Sequence, residues 1–182
     1  MRVISGTAKG RRLKQVPGDT TRPIMDRAKE NLFNLLGDVA GERWLDLFGG
    51  TGQVGIEALS RGAAEVVFID KVRPAIRTIE SNLKTTKLTD RAEIVQMDAF
   101  TYLRGFNKRP FHLVYVAPPQ YKKLWIEAME ILDQNPAAYL TERGIVVIQI
   151  DPKEFEDLSL NNLSMYEKRK YGNTLFCFYE QL

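Results

Sequence analysis

Three carboxylates and one glycine-rich turn carry the first chemistry in this chain. The stretch Trp44-Leu45-Asp46-Leu47-Phe48-Gly49-Gly50-Thr51-Gly52 is an apolar run with a single acid inside it that ends in glycines. Glycine accepts positive φ and leaves room for a ligand to approach the backbone. The helix expected to follow offers unpaired N–H groups in its first turn. Asp70 and Asp98 each close a further apolar run. The spacing therefore predicts a nucleoside-like cofactor lying over the loop.

Two cofactors fit the loop. Gly50-Thr51-Gly52-Gln53-Val54-Gly55 matches G-x-G-x-x-G, and Asp70 follows about twenty residues on, as in a dinucleotide-binding fingerprint. A nicotinamide or flavin is one reading. Against it stand Asp46 inside the strand, the additional Gly49, and Asp98 at the end of a third strand. In an open parallel sheet the ligand lies across the carboxyl ends of the strands, so these three acids converge on one crevice. Three carboxylates suit a cationic, phosphate-free nucleoside better than a pyrophosphate, and S-adenosylmethionine is such a ligand. Asp46 then answers its amino-acid end, Asp70 its ribose hydroxyls and Asp98 its adenine amine. Phe48, Gly49, Gly50, Thr51, Gly52, Lys71 and Ala99 complete the expected cofactor wall. The plainer roles are a surface acid for Asp70 and a helix cap for Asp98.

The elements that must hold these residues alternate. Arg43–Phe48, Glu65–Asp70, Ala92–Met97, Phe111–Val116 and Ile145–Ile150 read as strands, and Val54–Arg61, a segment opened by Pro74, and Lys122–Asp133 read as helices between them. Strand-helix alternation of this kind predicts a parallel sheet. Ala28, Leu32, Leu35 and Leu36 predict a helix ahead of the first strand, and Tyr171-Gly172-Asn173-Thr174 sits between two strand-like runs, predicting a closing hairpin. The predicted organisation is a basic extension with its helix over 1–37 and the main domain over 38–182.

With 182 residues, one core is the default, and neither a signal-peptide h-region nor an apolar run of membrane-spanning length appears, so a cytoplasmic protein is expected. The single Cys177 lies in an apolar run and reads as a buried thiol in a reducing compartment, and the lone His112 has no companion ligands. Trp44 and Trp125 read as packing residues, the alternative for Trp125, one helical turn past Tyr121, being the wall of the base pocket. Net charge is only +3, yet Lys9, Arg11, Arg12 and Lys14 form an acid-free cluster. It reads either as a solvated, flexible terminus or as a phosphate-binding arm, since cations brought to a nucleic-acid backbone release its counterions.

At the end of the fourth strand the chain reads Val116-Ala117-Pro118-Pro119-Gln120-Tyr121. This edge resembles that of class I methyltransferases acting on exocyclic amines, whose fourth motif is Asp or Asn, Pro, Pro, then an aromatic. Nearly end to end, the chain resembles the RsmD-like family of 16S ribosomal RNA guanine-N2 methyltransferases. The matching stretches include Arg2-Val3-Ile4-Ser5-Gly6, Lys9-Gly10-Arg11-Arg12-Leu13, Thr21-Arg22-Pro23 with Asp26-Arg27, Leu45-Asp46-Leu47-Phe48, Gly55 to Ala63, and Tyr171-Gly172. The resemblance implies a Rossmann-like α/β fold: a mostly parallel seven-stranded sheet with helices on both faces and a C-terminal antiparallel hairpin. It implies methyl transfer from S-adenosylmethionine to RNA of the small ribosomal subunit or its 30S assembly intermediate, without a metal. It also implies that Arg22 helps close the cofactor site and that Lys9, Arg11, Arg12 and Lys14 hold RNA phosphates.

Ala117 stands where the resembled motif has Asp or Asn. An exocyclic amine is a poor nucleophile because its lone pair is delocalised into the ring, and acceptors on its N–H groups help it react. The expected acceptors here are the Pro118 carbonyl and the Gln120 amide oxygen, with Tyr121 stacking on the base. An active enzyme, a weak one, and a cofactor-binding RNA-binding protein without turnover are the readings this substitution leaves. The active reading is adopted because losing one acceptor costs on the order of 10²–10³ in rate, not all activity. A DNA adenine-N6 methyltransferase would share the same edge.

Overall fold

The computed structural model describes residues 1–18 and 23–182. Its frame is a seven-stranded sheet. In chain order the elements are α1 (Asp26–Leu36), β1 (Arg43–Asp46), α2 (Gln53–Ser60), β2 (Glu65–Asp70), α3 (Arg73–Thr86), β3 (Ala92–Gln96), α4 (Ala99–Arg104), β4 (Phe111–Val116), α5 (Leu124–Gln134), β5 (Leu140–Ile150), β6 (Leu163–Tyr171) and β7 (Thr174–Gln181). The strand order is β3-β2-β1-β4-β5-β7-β6. β1 to β5 pair in parallel, while β7 runs antiparallel to both β5 and β6. The expected parallel sheet and closing hairpin are both present.

Local chemistry sets the element ends. Pro74 opens α3, where its missing N–H is no loss. Gly37, at φ 73°, closes α1 with its N–H on the Phe33 carbonyl. The central strands are apolar on both faces because each face is covered. One face carries Trp44, Phe68, Leu113, Tyr115 and Val147 against α1 and α2; the other carries Leu45, Val67, Val114, Val146 and Ile148 against α4 and α5. β5 begins five residues earlier than expected, because Leu140 pairs with Phe111 across a register shift that precedes Ile145. The helix α4 is six residues long and starts where the helix-cap reading of Asp98 places it.

The basic N-terminus is neither loose nor separate. It folds as a hook: Arg2 bridges Arg12, and the Val3 N–H donates to the Arg11 carbonyl at 2.9 Å. The hook docks on α2 through the Thr7 N–H to the Ser60 carbonyl at 2.8 Å and the Ala8 N–H to Ser60 Oγ at 2.9 Å. Val3, Ala8 and Leu13 enter the same core as α1 and α2, so the expected division at residue 37 is not a boundary between cores. Beneath the hook lies a buried charge network. The fully buried Glu57 carboxylate accepts the Ile4 N–H and pairs with Arg61 at 3.1 Å. The equally buried Lys29 donates from Nζ to the Arg2 carbonyl at 2.6 Å, and burial is the main cause that lowers its pKa. Two charges are thus held where only close partners make burial tolerable.

Candidate functional site

A cavity of about 1310 Å³ opens at the carboxyl ends of β1, β2 and β4. Asp46, Phe48, Gly49, Gly50, Thr51, Asp70, Lys71, Asp98 and Ala99 all line it, as do Ala117, Pro118, Pro119 and Gln120. The cofactor loop and the proline edge, separated by more than sixty residues in the chain, therefore share one space.

The three acids differ in their partners. Asp46 is 3% exposed, and its Oδ1 finds no hydrogen-bond partner among the described residues. Burial first, and the charge of Asp70 second, push its pKa well above the ordinary carboxylate range, the Gly55 N–H offsetting only part of this. Asp70 accepts the Gly50 N–H on Oδ2 and the Val72 N–H on Oδ1, each at 2.9 Å, which fixes the loop against β2. Asp98 accepts the Phe100 and Thr101 N–H groups on Oδ1, both at 3.0 Å. The helix-cap role is thus real for Asp98, and it engages one oxygen of a carboxylate that also faces the cavity.

The glycines divide the work of the loop. A Cβ at Gly49 would lie 2.8 Å from Ile79 Cδ1, and one at Gly55 only 2.4 Å from the Phe68 ring, so these two let the loop and α2 sit close on the sheet. Gly50, at φ 57°, has open space where a side chain would project. Gly52 caps α2 in the left-handed region and stands behind the wall, not on it. Asn82, fully buried on α3, donates to the Thr51 and Lys14 carbonyls at 2.9 and 3.0 Å, tying the loop to the hook. Phe48 meets Phe100 edge to face at 6.2 Å.

Tyr121 does not join this group. Its backbone takes φ 63°, its side chain is 63% exposed, and its hydroxyl donates to Asp151 Oδ2 at 2.9 Å while its N–H donates to Glu154. The left-handed turn after the prolines swings the ring onto the loop following β5, so the expected stacking on a base is not the geometry seen. Trp125 is fully buried against Phe155, and Trp44 stacks on Phe33 at 5.6 Å, as packing residues do. His112 accepts the Arg43 N–H, and Cys177 is buried with its pKa pushed up to about 12 by that burial.

Lys9, Arg11, Arg12 and Lys14 are exposed on the hook, and Gln15 to Gly18 carry the chain from them to the cavity rim. Arg22 lies outside the described residues. Among the described residues no cluster of metal ligands occurs and no helix is long and apolar enough to cross a membrane.

The sequence reading missed part of the wall. Tyr115, Gln149, Arg27, Asn31 and the hairpin turn Tyr171–Thr174 also face the cavity. Tyr115 is 2% exposed and its hydroxyl donates to Gln149 Oε1. Gln149 had one visible signal: it is the lone polar residue in Ile145–Ile150.

The family described as conserved hypothetical protein 95 matches residues 1–180. The protein YlbH of Bacillus subtilis, provisionally named an rRNA methyltransferase, is 40% identical over 100% of this chain and 99% of its own length. Ribosomal RNA small subunit methyltransferase D of Escherichia coli is 29% identical, covering 100% of this chain and 90% of the relative. The solved structure of yhhF from Escherichia coli, provisionally named a methyltransferase, superposes with a TM-score of 0.86 at 29% identity over 100% of this chain and 97% of that one. On this end-to-end match, the chain belongs to the conserved hypothetical protein 95 family, the RsmD-like methyltransferases.

Proposed function

We propose that the protein transfers a methyl group from S-adenosylmethionine to an exocyclic amine of RNA, guanine N2 of 16S ribosomal RNA in the small subunit or its assembly intermediate. The observation that carries this reading is the single cavity joining the carboxylates of Asp46, Asp70 and Asp98 to the Ala117–Gln120 edge. At about 1310 Å³ it exceeds the usual range for one small molecule, about 300–1,000 Å³, and has room for a cofactor and an inserted base. Relatives named for ribosomal RNA small subunit methylation support the substrate class.

The residues present fit the cofactor. The partnerless Asp46 Oδ1 suits an ammonium, Gly50 leaves the loop open to close approach, and Asp98 keeps its second oxygen for an amine. When bound, S-adenosylmethionine supplies a methyl group made electrophilic by its sulfonium. Asp46, Asp70 and Asp98 orient its amino-acid, ribose and adenine parts, with Phe48, Lys71 and Ala99 along the wall. Pro118 turns the chain under the acceptor base and offers its carbonyl to the amine N–H. Gln120 stands at the rim, where it meets the base from outside. Lys9, Arg11, Arg12 and Lys14 hold phosphates and so set register without reading sequence. Arg22 is assigned to closing the site from the family resemblance.

The test incubates the purified protein with labelled S-adenosylmethionine and undermethylated 30S particles, followed by nucleoside analysis. Label in N2-methylguanosine is the expected result. Label in duplex DNA and none in 30S particles would redirect the substrate, and S-adenosylhomocysteine binding with no label in any RNA would remove the enzyme reading.

A further inference from the structure

We propose that Gln149 is a catalytic residue of this site, its side-chain carbonyl accepting a hydrogen bond from the reacting amine, with Tyr115 as the residue that positions it; the inference rests on the methyl-transfer reading above.

Sheet register is what brings Gln149 to the chemistry. β4 and β5 pair in parallel, with Tyr115 opposite Val147 and Val116 opposite Ile148. One residue further on come Ala117 and Gln149. Paired residues of a parallel sheet project to the same face, and alternate residues of a strand share a face. Gln149 thus stands beside Ala117 on the face that carries Tyr115 and Asp46, themselves opposite one another between β1 and β4. Both line the cavity. Ala117 offers a methyl group, and the neighbouring strand offers a carboxamide in the adjoining position.

Gln149 is also held in place. The Tyr115 hydroxyl, in a side chain only 2% exposed, donates to its Oε1. An amide oxygen has two acceptor sites, so one remains for a ligand. Gln120, by contrast, is exposed on the rim and has no hydrogen-bond partner among the described residues, so engaging a base would cost it side-chain entropy.

The acceptor acts on a defined step. The amine lone pair forms the new N–C bond as the C–S bond breaks, and the C–S bonding pair stays on sulfur, which becomes a neutral thioether. Positive charge grows on the nitrogen, and its N–H becomes a stronger donor to Gln149 Oε1. The proton then passes to water. A prepositioned acceptor is therefore worth more in the transition state than in the bound substrate.

The experiment measures kcat and KM for undermethylated 30S particles and, separately, S-adenosylhomocysteine affinity and melting temperature. Gln149→Ala is expected to lower kcat about 10²–10³-fold, with S-adenosylhomocysteine affinity retained and a larger loss than Gln120→Ala produces. Tyr115→Phe, which removes one hydrogen bond, is expected to lower kcat about 2- to 10-fold. Adding Ala117→Asn to Gln149→Ala is expected to restore at least about tenfold, because it returns an amide oxygen from the opposite strand. A Gln149→Ala enzyme with wild-type kcat overturns the inference. So does a variant that loses cofactor binding and melting temperature together and gains nothing from Ala117→Asn, the pattern of a purely structural glutamine. A wild-type protein that binds S-adenosylhomocysteine but labels no RNA overturns the methyl-transfer reading, and this inference with it.

Discussion

Cofactor binding should release a proton from Asp46, and this can be measured without turnover. Its carboxyl is 3% exposed, one oxygen lacks a partner, and burial holds its pKa well above the usual carboxylate range. Assigned to the amino-acid end of the ligand, Asp46 must be ionised to meet the α-amino cation, which stays protonated below its ordinary pKa of about 7.7–8.0. Below the raised pKa of the free protein, each pH unit then costs about 1.4 kcal/mol, a tenfold loss of affinity. The assay is titration calorimetry with S-adenosylhomocysteine across the acid-to-neutral range, repeated in buffers of different ionisation enthalpy to count protons. Asp46→Asn removes both slope and proton release. At the pH where the wild type is ionised, it should bind about 10- to 150-fold more weakly, the worth of a charged hydrogen bond of about 1.5–3 kcal/mol.

The same group has an opposite effect on the unliganded fold. Its folded pKa lies above the unfolded value of about 3.9, so the native state keeps a proton that the unfolded chain gives up. The stability Asp46 contributes is fully present below the unfolded pKa and falls as pH rises to the folded pKa. Above that it levels off. The Asn variant lacks this fall and should gain stability on the wild type as pH rises. Identical pH slopes for the two proteins, in binding and in melting, would refute the assignment.

The remaining predictions concern the frame. Glu57→Gln takes from Arg61 its ion-pair partner and from the buried Lys29 the nearby negative charge that favours its ammonium, and should cost about 1–3 kcal/mol in denaturant unfolding. Gly55→Ala puts a methyl 2.4 Å from the Phe68 ring and should cost about 1–3 kcal/mol by overpacking, read as a lower melting temperature. Cys177, buried with its pKa pushed up to about 12, should resist thiol reagents in the native protein at neutral pH and react fully in denaturant.

Features encoded within one strand and its following turn were legible in the sequence. Asp46 and Asp70 end adjacent strands, and Asp98 caps α4 two residues beyond the end of β3, because apolar runs broken by glycine or a cap residue are local signals, and parallel strands deliver their ends to one edge. The hook was half legible. Its charges were visible, but its docking depends on Glu57 and Lys29, which read in sequence as ordinary helical charges and prove to be fully buried. Tyr121 shows the reverse error: the residue type was right for stacking, and a left-handed backbone turn, which the sequence does not announce at a tyrosine, carried the ring elsewhere.

Gln149 was visible only as a lone polar residue in an apolar run, and its role was illegible for a stronger reason. Its importance follows from standing beside Ala117, and that adjacency is set by pairing between strands joined through α5, not by any spacing along the chain. Periodicity tells which face a residue takes within its own strand; register across a crossover tells which residue stands next to it. A short side chain on one strand can therefore be answered by a long one on the next, and a motif read linearly registers only the loss. Ala117 taken alone favours a protein that holds a cofactor without using it. Taken with Gln149 and the tyrosine that orients it, the same position favours an acceptor moved one strand across, and the Ala117→Asn rescue separates these two readings.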